Sequence, residues 1–136
     1  MLATRNRLRT STDFSTTVRS GVRNGRRNVV LYTAALAADE PSRIGFIVSK
    51  SVGNAVVRNL VKRRLRELGA MSLQHYGSGF AIVVRALPAA AGASWDQLCS
   101  DYGAALESNM KRLGSRLPKA ASSVSDETTQ EGTPRA

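Results

Sequence analysis

The sequence predicts a single α+β domain. Its 136 residues, 42% of them hydrophobic, are enough to build one core. Three runs rich in β-branched and aromatic residues indicate strands, and three segments with apolar residues at helical spacing indicate helices. In chain order the prediction is a short helix, two strands, a basic helix, a third strand and a last helix. The domain spans residues 1–117, and residues 1–9 form a basic arm.

The first predicted helix covers residues 11–20. Thr10, followed three residues later by Asp13, is typical of a helix start, and Gly21 is typical of a helix end. Phe14 and Val18 lie one turn apart on this helix. Because the segment is rich in Ser and Thr, its intrinsic helix propensity is low. We therefore expect it to depend on packing against another element.

The strands are predicted at residues 28–37, 43–50 and 80–86. The first two are joined by the polar, proline-containing stretch 38–42, which favours a hairpin between them. The third strand, FAIVVRA, is a nearly continuous apolar run. Such a run is typical of a strand that is buried on both faces.

The two longer helices are predicted at residues 55–70 and 94–113. Asn54 is a favourable N-cap for the first, and Ser94 with Gln97 forms a capping box for the second. The second helix carries an apolar stripe at three- and four-residue steps, which predicts one buried face. The stripe consists of Trp95, Leu98, Cys99, Tyr102, Leu106, Met110 and Leu113. Residues 118–136 offer little to bury, so we expect a disordered tail.

The charge of the chain indicates a polyanionic partner. The net charge is +10, and residues 1–66 hold 14 cations against three acids, whereas residues 67–136 hold six against seven. Most of the cations are arginine, whose planar head suits phosphate groups and base stacking. A surface that only confers solubility is the alternative, but it requires neither this asymmetry nor so much arginine. Nucleic acid is favoured over a membrane because no amphipathic helix pairs basic residues with large aromatic anchors.

Several other classes of protein fit the sequence poorly. Cys99 and His75 are single and stand 24 positions apart, so a zinc site or a Cys–His nucleophile is not favoured. No apolar run is long enough to cross a membrane, and the first residues lack the apolar stretch of a signal peptide. With one cysteine and no internal disulfide, we expect a cytoplasmic protein without membrane contact.

The densest group of cations lies on the predicted helix at residues 55–70. At 100° per residue, one arc of about 140° holds five polar side chains, and the opposite side holds four apolar ones. The polar set is Arg58, Asn59, Lys62, Arg63 and Arg66; the apolar set is Val57, Val61, Leu65 and Leu68. The alternative is a solvated face with ordinary ion pairs. However, the sequence between Glu40 and Glu67 contains no acidic partner.

Residues 48–67, VSKSVGNAVVRNLVKRRLRE, resemble the signature region of the bacterial ribonuclease P protein family. The order of a Ser-Lys strand end, Gly-Asn-Ala-Val and Arg-Asn-x-x-Lys-Arg-x-x-Arg carries the resemblance. It continues through RNRL at 5–8, DF at 13–14, VLYT at 30–33 and RIGFIVSK at 43–50, and so covers roughly residues 4–112.

The resemblance implies a fold like the second domain of ribosomal protein S5. That fold is a mixed sheet with a left-handed βαβ crossover through the basic helix and with helices packed on one side. The resemblance also implies that the 1–117 domain binds RNA as the protein subunit of ribonuclease P. In that enzyme it would bind the catalytic RNA and assist removal of the 5′ leader from precursor tRNA. We expect one protein per RNA, Mg²⁺ bound mainly by the RNA, and no catalytic or metal-binding residue in the chain.

The family has two RNA-binding surfaces, and both can be mapped by matching position. The resemblance implies that the surface for the catalytic RNA consists of Arg58, Asn59, Lys62, Arg63 and Arg66, joined by Arg5 and Arg7 of the arm. It implies that the cleft for the precursor-tRNA leader consists of Phe14, Tyr32, Ser49, Lys50 and Arg85. For Phe14 and Tyr32 an ordinary core position is the alternative. An unpaired strand is typically held by stacking on aromatics and by cations along its backbone.

Two positions depart from the family pattern, and the resemblance supplies no counterpart for the acidic, serine-rich tail after residue 118. Leu60 stands where many relatives carry arginine, and Arg64, one turn further on, is a candidate replacement for that cation. Val18 stands where relatives often carry a second aromatic residue, which weakens the expected stacking of bases.

Other functions remain open at this point. A ribosomal or ribosome-assembly protein would share the fold and the charge without any enzymatic role. A protein that shapes DNA is a weaker alternative. A stand-alone nuclease fits least, because the sequence places no pair of carboxylates and no histidine near the basic face.

Overall fold

The computed structural model describes residues 4–116 and shows a four-stranded mixed sheet. The strands are β1 (Val22–Gly25), β2 (Val29–Ala35), β3 (Arg43–Ile47) and β4 (Phe80–Ala86), in the spatial order β1-β2-β4-β3. β1 pairs with β2 and β2 with β4 in antiparallel fashion, whereas β3 and β4 are parallel. The predicted α+β class and mixed sheet are confirmed. The tail predicted at residues 118–136 lies outside the described residues.

Three helices accompany the sheet, and each begins at or within one residue of its predicted start. They are α1 (Ser11–Ser20), α2 (Ala55–His75) and α3 (Trp95–Arg116). The Thr10 hydroxyl accepts from the Asp13 N–H at 3.0 Å, and the Asn54 side chain accepts from the Val57 N–H at 3.0 Å. Ser94 and Gln97 cap α3 reciprocally, at 2.9 and 3.1 Å. Each N-cap contact of this kind is worth about 1 kcal/mol.

One face of the sheet, here called the core face, packs against α2 and α3. Its contributors from the strands include Leu31, Ile44 and Ile82, and all three are fully buried. The helices supply the other half of this core, namely Val61, Leu65, Leu68, Leu98, Tyr102 and Leu106. The apolar side predicted for the basic helix is thus confirmed. Full burial of each large side chain contributes about 1.5–3 kcal/mol.

The opposite face, here called the α1 face, lies under α1. Successive side chains in a strand point to opposite faces, so Gly45 points away from Ile44 and Phe46. A β-carbon built on Gly45 would overlap the ring of Phe14, whereas Ile44 and Phe46 lie against Gly69 of α2. The prediction that the helices pack on one side of the sheet is therefore wrong for α1. Because Gly45 has no side chain, it leaves space on the opposite face of the sheet, and the Phe14 ring of α1 fills that space.

Three further differences from the sequence prediction concern pairing and length. β2 and β3 do not form a hairpin, because β4 lies between them. β1 was not predicted, since its sequence, VRNG, is short and mostly polar. α2 continues to His75 rather than ending near residue 70, because Gly69 and Ser72 are also buried. Within residues 4–116 no helix is long and apolar enough to cross a membrane.

Candidate nucleic-acid interface

The polar arc of α2 forms an exposed basic surface. Asn59, Arg63 and Arg66 are exposed, while Arg58 and Lys62 are half-buried at the margin of the packed side. Within residues 4–116 none of the four cations forms an ion pair. Their charges are therefore available to an external anion, and their three- and four-residue spacing places neighbouring side chains about 5–6 Å apart at Cβ.

Arg58 has a second role at the start of this surface. Its Nε donates to the carbonyl of Gly53 at 3.1 Å, and so it fixes the loop that precedes α2. A β-carbon on Gly53 would lie 2.9 Å from Cγ1 of Val57, and the φ of Gly53 is 157°. Glycine is therefore needed where this loop turns into the helix. The remaining N–H groups of Arg58 stay available for a ligand.

The basic arm runs along the β3 edge of the sheet. The Leu8 N–H donates to the Ile44 carbonyl at 3.1 Å, and Asn6 Nδ2 donates to the Ser42 carbonyl at 2.7 Å. These contacts hold Arg5 and Arg7 in exposed positions beside the strand against which α2 packs. The structure thus brings the arm and the basic helix to the same edge of the sheet.

Three of the five predicted cleft residues lie together on the α1 face. Tyr32 is the cross-strand neighbour of Val83, and Val83 is the neighbour of Gly45, over which the Phe14 ring lies. Arg85 follows two residues after Val83, on the same face, and is exposed. Phe14 and Tyr32 are half-buried, so part of each residue remains accessible.

Ser49 and Lys50 lie in the exposed loop that leaves β3. The last residue of that strand, Ile47, pairs with Arg85, so the loop continues from the end of the sheet where Arg85 lies. The Ser49 and Ser51 hydroxyl oxygens are 2.8 Å apart. Because the same loop leads into α2 at Asn54, the two predicted surfaces adjoin one another.

The departures from the family pattern have clear positions. Leu60 is 38% exposed at the rim of the basic arc, and Val18 is 38% exposed on α1. Arg64 does not lie with the other cations. Its Nη1 donates to the carbonyl of Ala93 at 3.0 Å, on the opposite side of α2. Arg64 therefore fixes α2 against the turn before α3 instead of replacing the cation missing at Leu60.

Cys99 belongs to the core, as its place on the apolar stripe predicts. Burial, together with the nearby carboxylates of Asp96 and Glu67, raises the pKa of its thiol. The thiol is therefore protonated at neutral pH and is a poor nucleophile.

Sequence reasoning missed one cation beside the cleft. The register of the unpredicted strand β1 places Arg23 directly opposite Tyr32 on the α1 face. Arg23 could not be recognised as a cleft residue from the sequence, because the strand that contains it is short and mostly polar. Together, the described surfaces define a class of protein: a small α+β domain with an exposed basic helix face and an adjoining cleft lined by aromatic rings, an arrangement suited to a polyanion.

Comparison with known proteins narrows this class. The family model described as Ribonuclease P matches residues 2–110. The chain is 88% identical to the ribonuclease P protein component of Arthrobacter sp. strain FB24 over 136 residues, the full length of both. It is 58% identical to that of Kocuria rhizophila over 112 residues, which are 82% of this chain and 98% of the relative.

Solved structures agree with these sequence matches. The Staphylococcus aureus RNase P protein superposes with a TM-score of 0.68 and 29% identity, covering 75% of this chain and 93% of that one. For the Thermotoga maritima RNase P protein the TM-score is 0.62 and the identity 25%, covering 72% and 92%. The chain belongs to the ribonuclease P protein family. It is a subunit of the endoribonuclease that processes the 5′ ends of tRNA, and its partner is RNA.

Proposed function

We propose that this chain binds the catalytic RNA of ribonuclease P through α2 and the basic arm, and holds the 5′ leader of precursor tRNA between α1 and the sheet. The observation that carries the proposal is the set of unpaired cations on α2. Four neighbouring cations that form no ion pair within residues 4–116 cost stability through mutual repulsion unless a polyanion binds them. Arg5 and Arg7 extend this surface along the β3 edge.

The cleft suits a single-stranded RNA. Phe14 and Tyr32 offer rings on which unpaired bases can stack, and Arg85 and Lys50 offer cations for the backbone. Ser49 adds a hydroxyl that can donate to or accept from a sugar or phosphate oxygen. A duplex would use only the cations, because its bases are already stacked. The half-exposed rings therefore support an unpaired leader as the ligand.

The chemistry of the two surfaces supports a binding role rather than bond cleavage by the protein. Their side chains are cations, amides, hydroxyls and aromatic rings, which neutralise phosphates and orient a strand. We propose that the RNA subunit, with Mg²⁺ bound mainly to it, carries out hydrolysis, and that one protein serves each RNA in the cytoplasm. We also propose that β3, α2 and β4 form the left-handed crossover implied by the family.

Reconstitution at low Mg²⁺ tests this proposal. The protein is mixed with a bacterial ribonuclease P RNA and a precursor tRNA, and leader removal is compared with that by the RNA alone. We expect clear activation by the protein and tighter binding of precursor than of mature tRNA. If the protein gives no gain in leader removal, the proposal is refuted. The ribosomal alternative finds no support among the matches, and it predicts co-purification with a ribosomal subunit instead of one discrete RNA.

A further inference from the structure

Strand β1 extends the cleft toward the sheet edge opposite the basic helix. Arg23 is directly opposite Tyr32 in the β1–β2 register, and Tyr32 is opposite Val83 in the β2–β4 register. Paired residues in adjacent strands point to the same face. Arg23 therefore stands on the α1 face, next to one of the two rings of the cleft, and it is exposed.

The position of the Arg23 side chain is defined by Gly25. A β-carbon built on Gly25 would lie 3.7 Å from both Nη1 and Nη2 of Arg23, so the guanidinium lies over this glycine. Gly25 pairs with Val30, and Val30 pairs with Arg85. The Arg23 guanidinium thus lies in the same row across the sheet as Arg85. In this row the backbones of Gly25 and Arg85 are two strand spacings, or about 9.5 Å, apart.

The hairpin that carries Arg23 is tied to α3. Arg112 donates both to the carbonyl of Arg23 and to Asn109 Oδ1. Asn24 Nδ2 donates to the Ser108 hydroxyl at 3.1 Å, and the backbone and side chain of Asn28 both donate to Asp101, at 3.0 and 2.8 Å. A cation on a fixed hairpin loses little conformational freedom on binding, which favours its use as a contact.

We propose that Arg23 is a further leader-binding residue, which contacts a part of the leader farther from the cleavage site than Arg85 does. This inference rests on the proposed function. The catalytic RNA would lie at the β3 edge, where α2 and the arm present their cations, whereas β1 is the opposite edge of the sheet. A leader that crosses the α1 face from Arg85 to Arg23 therefore runs away from the cleavage site.

The chemistry of Arg23 fits this position. Within residues 4–116 neither Arg23 nor Arg85 forms an ion pair. Because the Arg23 guanidinium lies over Gly25, two strand spacings from the backbone of Arg85, we expect the two cations to contact different phosphates of the same strand. The planar guanidinium of Arg23 also offers a stacking surface over Gly25, on the α1 face where Val18 provides no ring.

The test compares leader lengths in the reconstituted holoenzyme. Dissociation constants are measured for precursor tRNAs with leaders of about two and about ten nucleotides. We expect Arg23→Ala to weaken binding of the long-leader precursor roughly three- to tenfold, and to leave the short-leader precursor unchanged. For the long leader, the slope of log affinity against log salt should fall by a little under one.

The matched control is Arg27→Ala. Arg27 is an exposed cation of the same hairpin, but it lines a shallow surface pocket together with Asp96 and Asp101 of α3. We expect its loss to leave both precursors bound as by the wild type. If Arg23→Ala also binds the long leader like the wild type, while Arg85→Ala weakens it, the inference is wrong and the proposed cleft stands. If the wild type does not distinguish long from short leaders, the cleft itself fails, and this inference with it.

Discussion

On the core face of the sheet, Leu31 and Ile82 are completely covered by α2 and α3, whereas on the α1 face Tyr32 is half-exposed and Arg23 and Arg85 reach solvent. The strands are the same, and only the side chains alternate. The apolar area that stabilises the fold is concentrated on the core face. The α1 face is therefore free to carry cations and accessible rings, whose full burial would be costly. Substitutions on the two faces should accordingly separate stability from RNA binding.

The largest effect is expected on the core face. Leu65→Ala removes a fully buried side chain of α2 and leaves a cavity, so we expect a loss of about 2–5 kcal/mol in the free energy of unfolding. Val56→Ala on the same helix is the control, because Val56 is 77% exposed and its loss should cost less than about 0.5 kcal/mol. Urea denaturation measures both. Equal effects of the two variants would contradict the assignment of the core.

Gly45→Ala should disturb the α1 face. The new methyl group would overlap the Phe14 ring, so α1 must shift, at a cost of about 1–3 kcal/mol. Binding of the precursor-tRNA leader should weaken, while the affinity of the folded protein for the RNA subunit stays unchanged, because α2 lies on the other face. Leader-dependent binding and RNA-subunit binding are measured separately. A variant that loses both affinities equally would contradict the separation of the two surfaces.

A pH dependence is expected from the core face. Burial raises the pKa of Tyr102 to about 12, and its hydroxyl lies 2.8 Å from that of Ser72. The unfolded chain releases this proton near pH 10, so the stabilising contribution is complete below pH 10 and is lost as the pH rises toward 12. We expect a loss of about 2 kcal/mol across that interval. Tyr102→Phe should lack this component in pH-dependent unfolding, and an identical profile would refute the assignment.

The smallest effect is expected from a single cation of α2. Arg63→Ala should weaken binding to the RNA subunit roughly three- to tenfold and lower the salt slope by a little under one, as the loss of one phosphate contact predicts. Lys111→Ala is the control, because Lys111 is an exposed cation on α3 that pairs with Glu107 at 3.9 Å. An unchanged salt slope for Arg63→Ala would show that Arg63 does not contact phosphate.

The sequence was sufficient for features whose cause is local. The caps at Thr10, Asn54 and Ser94, the strand at 80–86 and the apolar side of α2 depend on residues a few positions apart, and all are confirmed. The family resemblance supplied what local patterns cannot, namely the identity of the enzyme and the positions of the two candidate surfaces.

The features that were missed depend on residues far apart in the chain. The placement of β4 between β2 and β3 and the seating of Phe14 over Gly45 are decided by packing across the sheet. β1 exists because the hairpin is held by α3, although its own sequence is a poor strand former. Arg64 was considered as a substitute cation, but its contact with Ala93 could not be read from helical spacing.

The most direct measurement is the ratio of the holoenzyme's affinities for precursor and mature tRNA, determined with the wild-type protein and with a Phe14→Ala, Arg85→Ala double variant. These residues lie on the α1 face, whereas α2 packs against the opposite face of the sheet. We expect the double variant to lose most of the preference for precursor while its affinity for the RNA subunit is retained. A folded double variant that keeps the full preference for precursor would contradict the proposed leader cleft.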